Sequence, residues 1–142
     1  MTNLQELDKV INDRLEQSLN ELAAFCAQPS ISAQGKGMKK CTSQAAEMLA
    51  ARGFEVQILP TDGYPAVFGQ RSGQTNATLL FYNHYDVQPP EPLELWESPP
   101  FEPTIRNGKM FARGVSDDKG HIACRLAAID SLLALRANCH AR

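Results

Sequence analysis

The residues best equipped for chemistry in this chain of 142 residues lie between Leu79 and Gly120. An apolar run, Leu79-Leu80-Phe81-Tyr82, leads into Asn83-His84-Tyr85-Asp86. A second polar cluster, Arg113-Gly114-Val115-Ser116-Asp117-Asp118-Lys119-Gly120, places Asp117 33 positions after His84. One imidazole and three carboxylates therefore fall at the ends of expected strands and helices, where open α/β sheets bind ligands and metals. His84 and Asp86 are spaced i, i+2, so along an extended segment both point to one side. Asp86 can accept the ring N–H of His84, which fixes the tautomer and raises the basicity of the other nitrogen towards a metal. From the tripeptide alone, a surface His–Asp pair is the favoured reading. Asp117 and Asp118 also have an ordinary explanation, capping of the helix that follows. As chemistry, adjacent carboxylates at such a junction suit zinc, manganese or cobalt and can bridge two ions. Two ions roughly 3.5–4 Å apart would polarise a carbonyl and activate a water. The segment reads as half of a metal site.

The elements that must position these groups follow from periodicity. Leu4, Leu7, Val10, Ile11, Leu15, Leu19, Leu22, Ala23 and Cys26 recur at spacings of three and four, an amphipathic helix running to about Pro29. A loop follows over Ser30 to Gly35, then a second helix from about Met38 to Arg52, with Gly53 just past its end. Phe54 to Leu59 alternates as a half-exposed strand, and Ala66 to Gly69 reads as a short one. Thr78 to Tyr82 reads as a buried strand delivering His84 and Asp86. Asn107-Gly108, between Thr104-Ile105-Arg106 and Lys109-Met110-Phe111-Ala112, is a hairpin turn signal. Asp117 and Asp118 open a last helix with Ile122, Leu126, Ile129, Leu132, Leu133 and Leu135 on one side. The fold class is α/β, with a mixed sheet flanked by helices and no internal domain boundary. Asn138-Cys139-His140-Ala141-Arg142 does not read as the strand such a helix should lead to.

Composition sets the outer limits. Hydrophobic residues make up 43% and charged residues 21%, as in a globular protein, and the net charge of −2 gives no nucleic-acid footprint and no call for an anionic membrane. The N-terminus lacks the apolar stretch of a secretory signal, and no apolar run approaches transmembrane length, so a cytoplasmic location is expected. Cys26, Cys41, Cys124 and Cys139 contain no Cys-x-x-Cys pair and read as reduced thiols, mostly small core residues, with Cys139-His140 an incidental neighbour pair. Trp96, Pro99, Pro100 and Phe101 read as loop packing, and His121 as a solvent-facing residue of the first helical turn.

Taken together, the stretch from Tyr82 to Pro89, then Trp96, then Pro100-Phe101, then Asn107 to Gly120 closely resembles a known pattern. It is similar to the di-zinc exopeptidase family that includes cytosolic nonspecific dipeptidases, carnosinase, glutamate carboxypeptidase, aminoacylase and succinyl-diaminopimelate desuccinylase. The long Trp-containing spacer is most similar to the dipeptidase branch. The resemblance implies that His84 ligates one zinc, that Asp86 orients it as part of the catalytic apparatus, that Asp117 bridges both zincs, and that the Asp117-Asp118 peptide is cis.

It further implies hydrolysis of a peptide or N-acyl amide bond in small substrates, and an intact protein that is often a homodimer. The family's Glu-Glu pair (general base and zinc ligand), its further acidic ligand, its second histidine and its small lid or dimerisation domain have no counterpart in this sequence. Residues 1–142 are thus expected to be the N-terminal portion of a metallopeptidase catalytic domain. Two further readings stand beside dipeptide hydrolysis. One is a non-catalytic fragment or split-enzyme module, and the other a deacylase of N-acyl amino acids.

Overall fold

Three helices and two hairpins make up the computed structural model, which describes residues 4–140. The first helix, α1 (Leu4–Ala27), forms along the expected apolar stripe. Its burial is concentrated at the C-terminal end, where Phe25 and Cys26 are fully enclosed, while Leu4, Ile11 and Leu15 remain exposed. A short 3-10 turn (Ser32–Gln34) leads to α2 (Met38–Ala50), which buries Met38, Cys41, Thr42, Ala45 and Met48. The last helix, α3 (Lys119–His140), packs along α1. The core lies where these three meet. Phe25, Cys41, Ala45, Met48 and Leu126 form it, with Leu49, Val67, Tyr85, Ile122 and Ile129 packed around them.

Strands β1 (Glu55–Leu59) and β2 (Ala66–Gln70) pair antiparallel, from Glu55 opposite Gln70 to Leu59 opposite Ala66. Strands β3 (Thr104–Arg106) and β4 (Lys109–Phe111) form the second hairpin. Asn107 and Gly108 turn it with φ of 51° and 72°, the positive values that a two-residue turn matched to the strand twist requires. Arg106 stacks over Phe111 across this hairpin, 4.3 Å from the ring centroid. A single parallel bridge, Ile31 with Val87, joins the loop after α1 to the loop that carries His84.

One expected element is corrected. Thr78 to Tyr82 is not a buried strand: it has no ladder partner, and Leu80 is 81% and Tyr82 88% exposed. An apolar run becomes a buried strand only if flanking strands take up its N–H and C=O groups. Among the described residues, β1 pairs only with β2 and β3 only with β4, and neither hairpin extends its ladder to this run.

The cysteines divide as well. Cys26 and Cys41 are core residues, and burial pushes the Cys26 thiol up to about 11, against a smaller opposing pull from Lys119. Cys124, by contrast, is exposed on α3, because its position falls between the buried Ala123 and Leu126 on the outward face. The side chains of Cys139 and His140 lie outside the described residues, as do Ala141 and Arg142.

Candidate metal centre

The His84 loop is held from beneath by Tyr85. Its ring packs on the core, its hydroxyl donates to the Pro65 carbonyl at 2.6 Å, and Thr42 Oγ1 lies 3.0 Å from that hydroxyl. The Tyr85 carbonyl accepts from Ser30 Oγ at 2.7 Å, and Val87 N donates to the Ser30 carbonyl at 2.8 Å. With residue 85 facing inward, the flanking side chains of His84 and Asp86 are turned to the same outer side, as the i, i+2 spacing predicts.

His84 Nδ1 sits 3.1 Å from Asp86 Oδ1 and 3.2 Å from the Asp86 carbonyl oxygen. The other Asp86 oxygen, Oδ2, accepts from Ser32 Oγ at 2.5 Å. On the far side of the ring, His84 Nε2 faces Asp117 Oδ1 at 2.9 Å. The two residues expected to share a metal therefore converge, although 33 positions separate them in the chain.

The Asp117-Asp118 peptide is cis. The two neighbouring carboxylates have opposite environments. Asp117 keeps its side chain 80% exposed. Asp118 is buried, and its Oδ2 accepts from Asn83 Nδ2 at 2.7 Å and from the backbone N–H of His84 at 3.1 Å. Its Oδ1 contacts His121 Nδ1 at 2.5 Å. Asp118 thus ties the His84 loop to the start of α3 and leaves Asp117 to face outward. Burial pushes the Asp118 pKa up, but the hydrogen bonds from Asn83, His84 and His121 outweigh that and hold it below its ordinary 3.8. His121 is largely exposed as expected, and its contact with Asp118 is a finding of the structure. Asn83 reaches onward to Arg125, whose Nη1 also donates to the Tyr82 carbonyl at 3.0 Å.

The donor chemistry fits a divalent cation. With Asp86 accepting from Nδ1–H, a neutral His84 presents a lone pair at Nε2 directly towards a carboxylate oxygen. Two acceptors at 2.9 Å repel unless a cation lies between them, either a proton on Nε2 or a metal. Two ligands on a tetrahedral zinc stand roughly 3.3 Å apart, given metal–ligand bonds near 2.05 Å, so only a small opening of the pair would be needed. Burial tends to lower the His84 pKa, but the hydrogen bonds it donates to Asp86 and Asp117 and the charges of Asp117 and Asp118 raise it above 6.5 overall. Among the described residues no group of three or more His, Cys, Asp or Glu forms a complete metal cage. The pair supplies two donors.

The loop between the two halves packs as expected. Trp96 donates Nε1–H to the Pro90 carbonyl at 2.8 Å, and Arg113 lies over its ring at 5.2 Å while donating to the Pro89 carbonyl at 3.1 Å. Ser32 and Asp118 are the contributors that sequence reading missed. Ser32 stands in a loop with no motif around it, and Asp118 reads from sequence only as half of a capping or metal-bridging carboxylate pair.

Helices pack over hairpins in an α/β fold, with a His-x-Asp loop facing an Asp-Asp junction. Residues 80–140, the segment that carries His84 and Asp117, match the family described as Peptidase family M20/M25/M40. It is 38% identical over 104 residues to succinyl-diaminopimelate desuccinylase of Janthinobacterium sp. (strain Marseille), covering 73% of this chain and 27% of that protein. An M20 family metallo-carboxypeptidase from Sulfolobus solfataricus superposes with a TM-score of 0.79 at 40% identity, over 82% of this chain and 27% of the other. Human carnosine dipeptidase 1 superposes with a TM-score of 0.84 over 94% of this chain and 32% of that one; at 24% identity this likeness speaks for the fold alone. The chain spans about a quarter of the length of the curated relatives it matches. Among the described residues no helix is long and apolar enough to cross a membrane.

Proposed function

We propose that this chain supplies part of a di-metal site, zinc or alternatively manganese or cobalt, for hydrolysis of a peptide or N-acyl amide bond in small substrates. The observation that carries the reading is the approach of His84 Nε2 to Asp117 Oδ1 at 2.9 Å, within the segment that matches the peptidase family. His84 would hold the metal through Nε2 and Asp117 through its exposed carboxylate. Asp86 keeps the imidazole in the Nδ1–H tautomer and aims Nε2 outward. Asp118, Asn83 and His121 fix the backbone from which both ligands project. When bound, the metal would polarise the amide carbonyl and acidify a water. A four-coordinate ion needs two donors beyond His84 and Asp117, from water or from protein groups outside this pair.

Two substrate classes share that bond, dipeptides and N-acyl amino acids. The second is favoured by one specific observation: curated relatives 36–40% identical to this chain are succinyl-diaminopimelate desuccinylases. Zinc titration by calorimetry on the wild type, His84→Ala and Asp117→Ala tests the site. Binding in the wild type that weakens at least about tenfold in both variants is the expected result. Indistinguishable isotherms for all three proteins would remove the metal assignment.

A further inference from the structure

We infer that one short segment, residues 25–32, sets the spacing of the His84–Asp117 pair, with Lys119 and Ser32 as the positioning residues that transmit it. The inference rests on the metal reading only for what the pair binds. The geometry that carries it is independent of any metal.

Lys119 follows the Asp-Asp junction and is 0% exposed, an unusual place for an ammonium group. Its partners are carbonyls. Nζ donates to Phe25 O at 2.9 Å and Gln28 O at 2.7 Å, and lies 4.8 Å from the centroid of the Phe25 ring. The Phe25 carbonyl is in the last turn of α1 and the Gln28 carbonyl just past its end, and that last turn contains no basic residue. The ammonium therefore serves as the cation that the negative end of α1 lacks. Its stem runs past Gly114, where a Cβ would stand 3.2 Å from Lys119 Cδ and 3.0 Å from Val87 Cγ1. The lysine thus fills a slot that only a glycine at that position, with φ of 93°, leaves open.

The same segment grips the other half of the site. Ser30 O accepts from Val87 N, Ser30 Oγ donates to Tyr85 O, Ile31 bridges Val87, and Ser32 Oγ donates to Asp86 Oδ2. Three hydrogen bonds, the one from Val87 N forming the Ile31–Val87 bridge, therefore fix the His84 loop to residues 30–32, and the buried ammonium fixes the Asp117 end to residues 25 and 28. Together with the direct bonds of Asp118 to Asn83 and His84, these contacts to a common peptide resist any shift of one half relative to the other. Ser32 also leaves Asp86 Oδ1 free for His84 Nδ1, which orients the ring.

The test uses the full chain as wild type, Lys119→Met, Ser32→Ala and His84→Ala. Fold is checked by amide NMR dispersion, cobalt(II) affinity by its visible absorption, and ring geometry by the 15N shifts of His84 in metal-free protein at one fixed pH. The expected result is that folded Lys119→Met and Ser32→Ala each shift the His84 ring signals and weaken cobalt about 10–100-fold. A lysine or serine with a merely structural role would change stability and leave both readouts at their wild-type values, and that outcome overturns the inference. If Lys119→Met does not fold, Ser32→Ala decides by the same two readouts. If the wild type takes no cobalt, or His84→Ala takes it equally well, the metal reading fails. The ring shifts of the metal-free variants then decide the positioning role alone, displaced signals supporting it and unchanged ones overturning it.

Discussion

At the scale of single residues, the site turns on which cation sits between His84 Nε2 and Asp117 Oδ1. At the proposed site a proton and a metal would compete for that position, and the hydrogen bonds that His84 makes to Asp86 and Asp117, with the charges of Asp117 and Asp118, raise its pKa against the opposing effect of burial. Two pH dependences of opposite sign follow. In the metal-free chain the His84–Asp117 pair contributes stability below about pH 6.5, the unfolded value, and this is lost as pH rises through the higher folded value. Metal affinity should instead rise with pH across the same window, because binding displaces the Nε2 proton. Calorimetry of zinc binding in two buffers of different ionisation enthalpy should show release of roughly one proton per ion near pH 6.5 and progressively less above it. An affinity flat from pH 6 to 8 would contradict this. Asp118 works the other way. With its pKa lowered, it contributes stability above pH 3.8 that is lost as pH falls through its folded value.

At the scale of elements, the candidate site is only as rigid as the three-helix contact beneath it. Arg52, two residues past the end of α2, donates to Glu21 of α1 at 3.0 and 2.6 Å and to Asp130 of α3 at 2.7 Å. Its side chain is nearly buried, so removing it strands two carboxylates near one another in a poorly solvated place. Burial opposes the guanidinium charge there, yet the bonds and charges of Glu21 and Asp130 raise its pKa overall. Arg52→Met should destabilise the fold by about 2–4 kcal/mol, between the values typical of exposed and buried pairs, measured by urea unfolding. The same substitution should leave the His84 loop intact below the transition, since that loop is tied to residues 30–32 and not to Arg52.

At the scale of the whole molecule, the exposed run Leu79-Leu80-Phe81-Tyr82 dominates solution behaviour. It presents contiguous apolar side chains and backbone groups without ladder partners, a template for strand addition. Arg125 covers only one end, 5.3 Å from the Phe81 ring centroid. The chain should self-associate as its concentration rises, and Leu80→Lys should suppress this in analytical ultracentrifugation while leaving helical content unchanged.

The sequence by itself determined the elements whose signals are local. The stripe of α1, the face of α2, the Asn107-Gly108 turn and the outward projection of His84 and Asp86 all follow from spacing and from the intrinsic preferences of a few residues. It also marked His84 and Asp117 as partners, because their residue types and setting match a family pattern. Only the tertiary structure decided what depends on contacts between distant segments. It separated Asp117 from Asp118 by turning one outward and burying the other under Asn83, His84 and His121. It placed the Lys119 ammonium on the end of α1 and Ser32 on Asp86, 54 positions away. It also left the apolar run at Thr78 to Tyr82 unpaired. Hydrophobicity records that a segment prefers to be covered, whereas the strand that would cover it is set by pairing elsewhere in the fold.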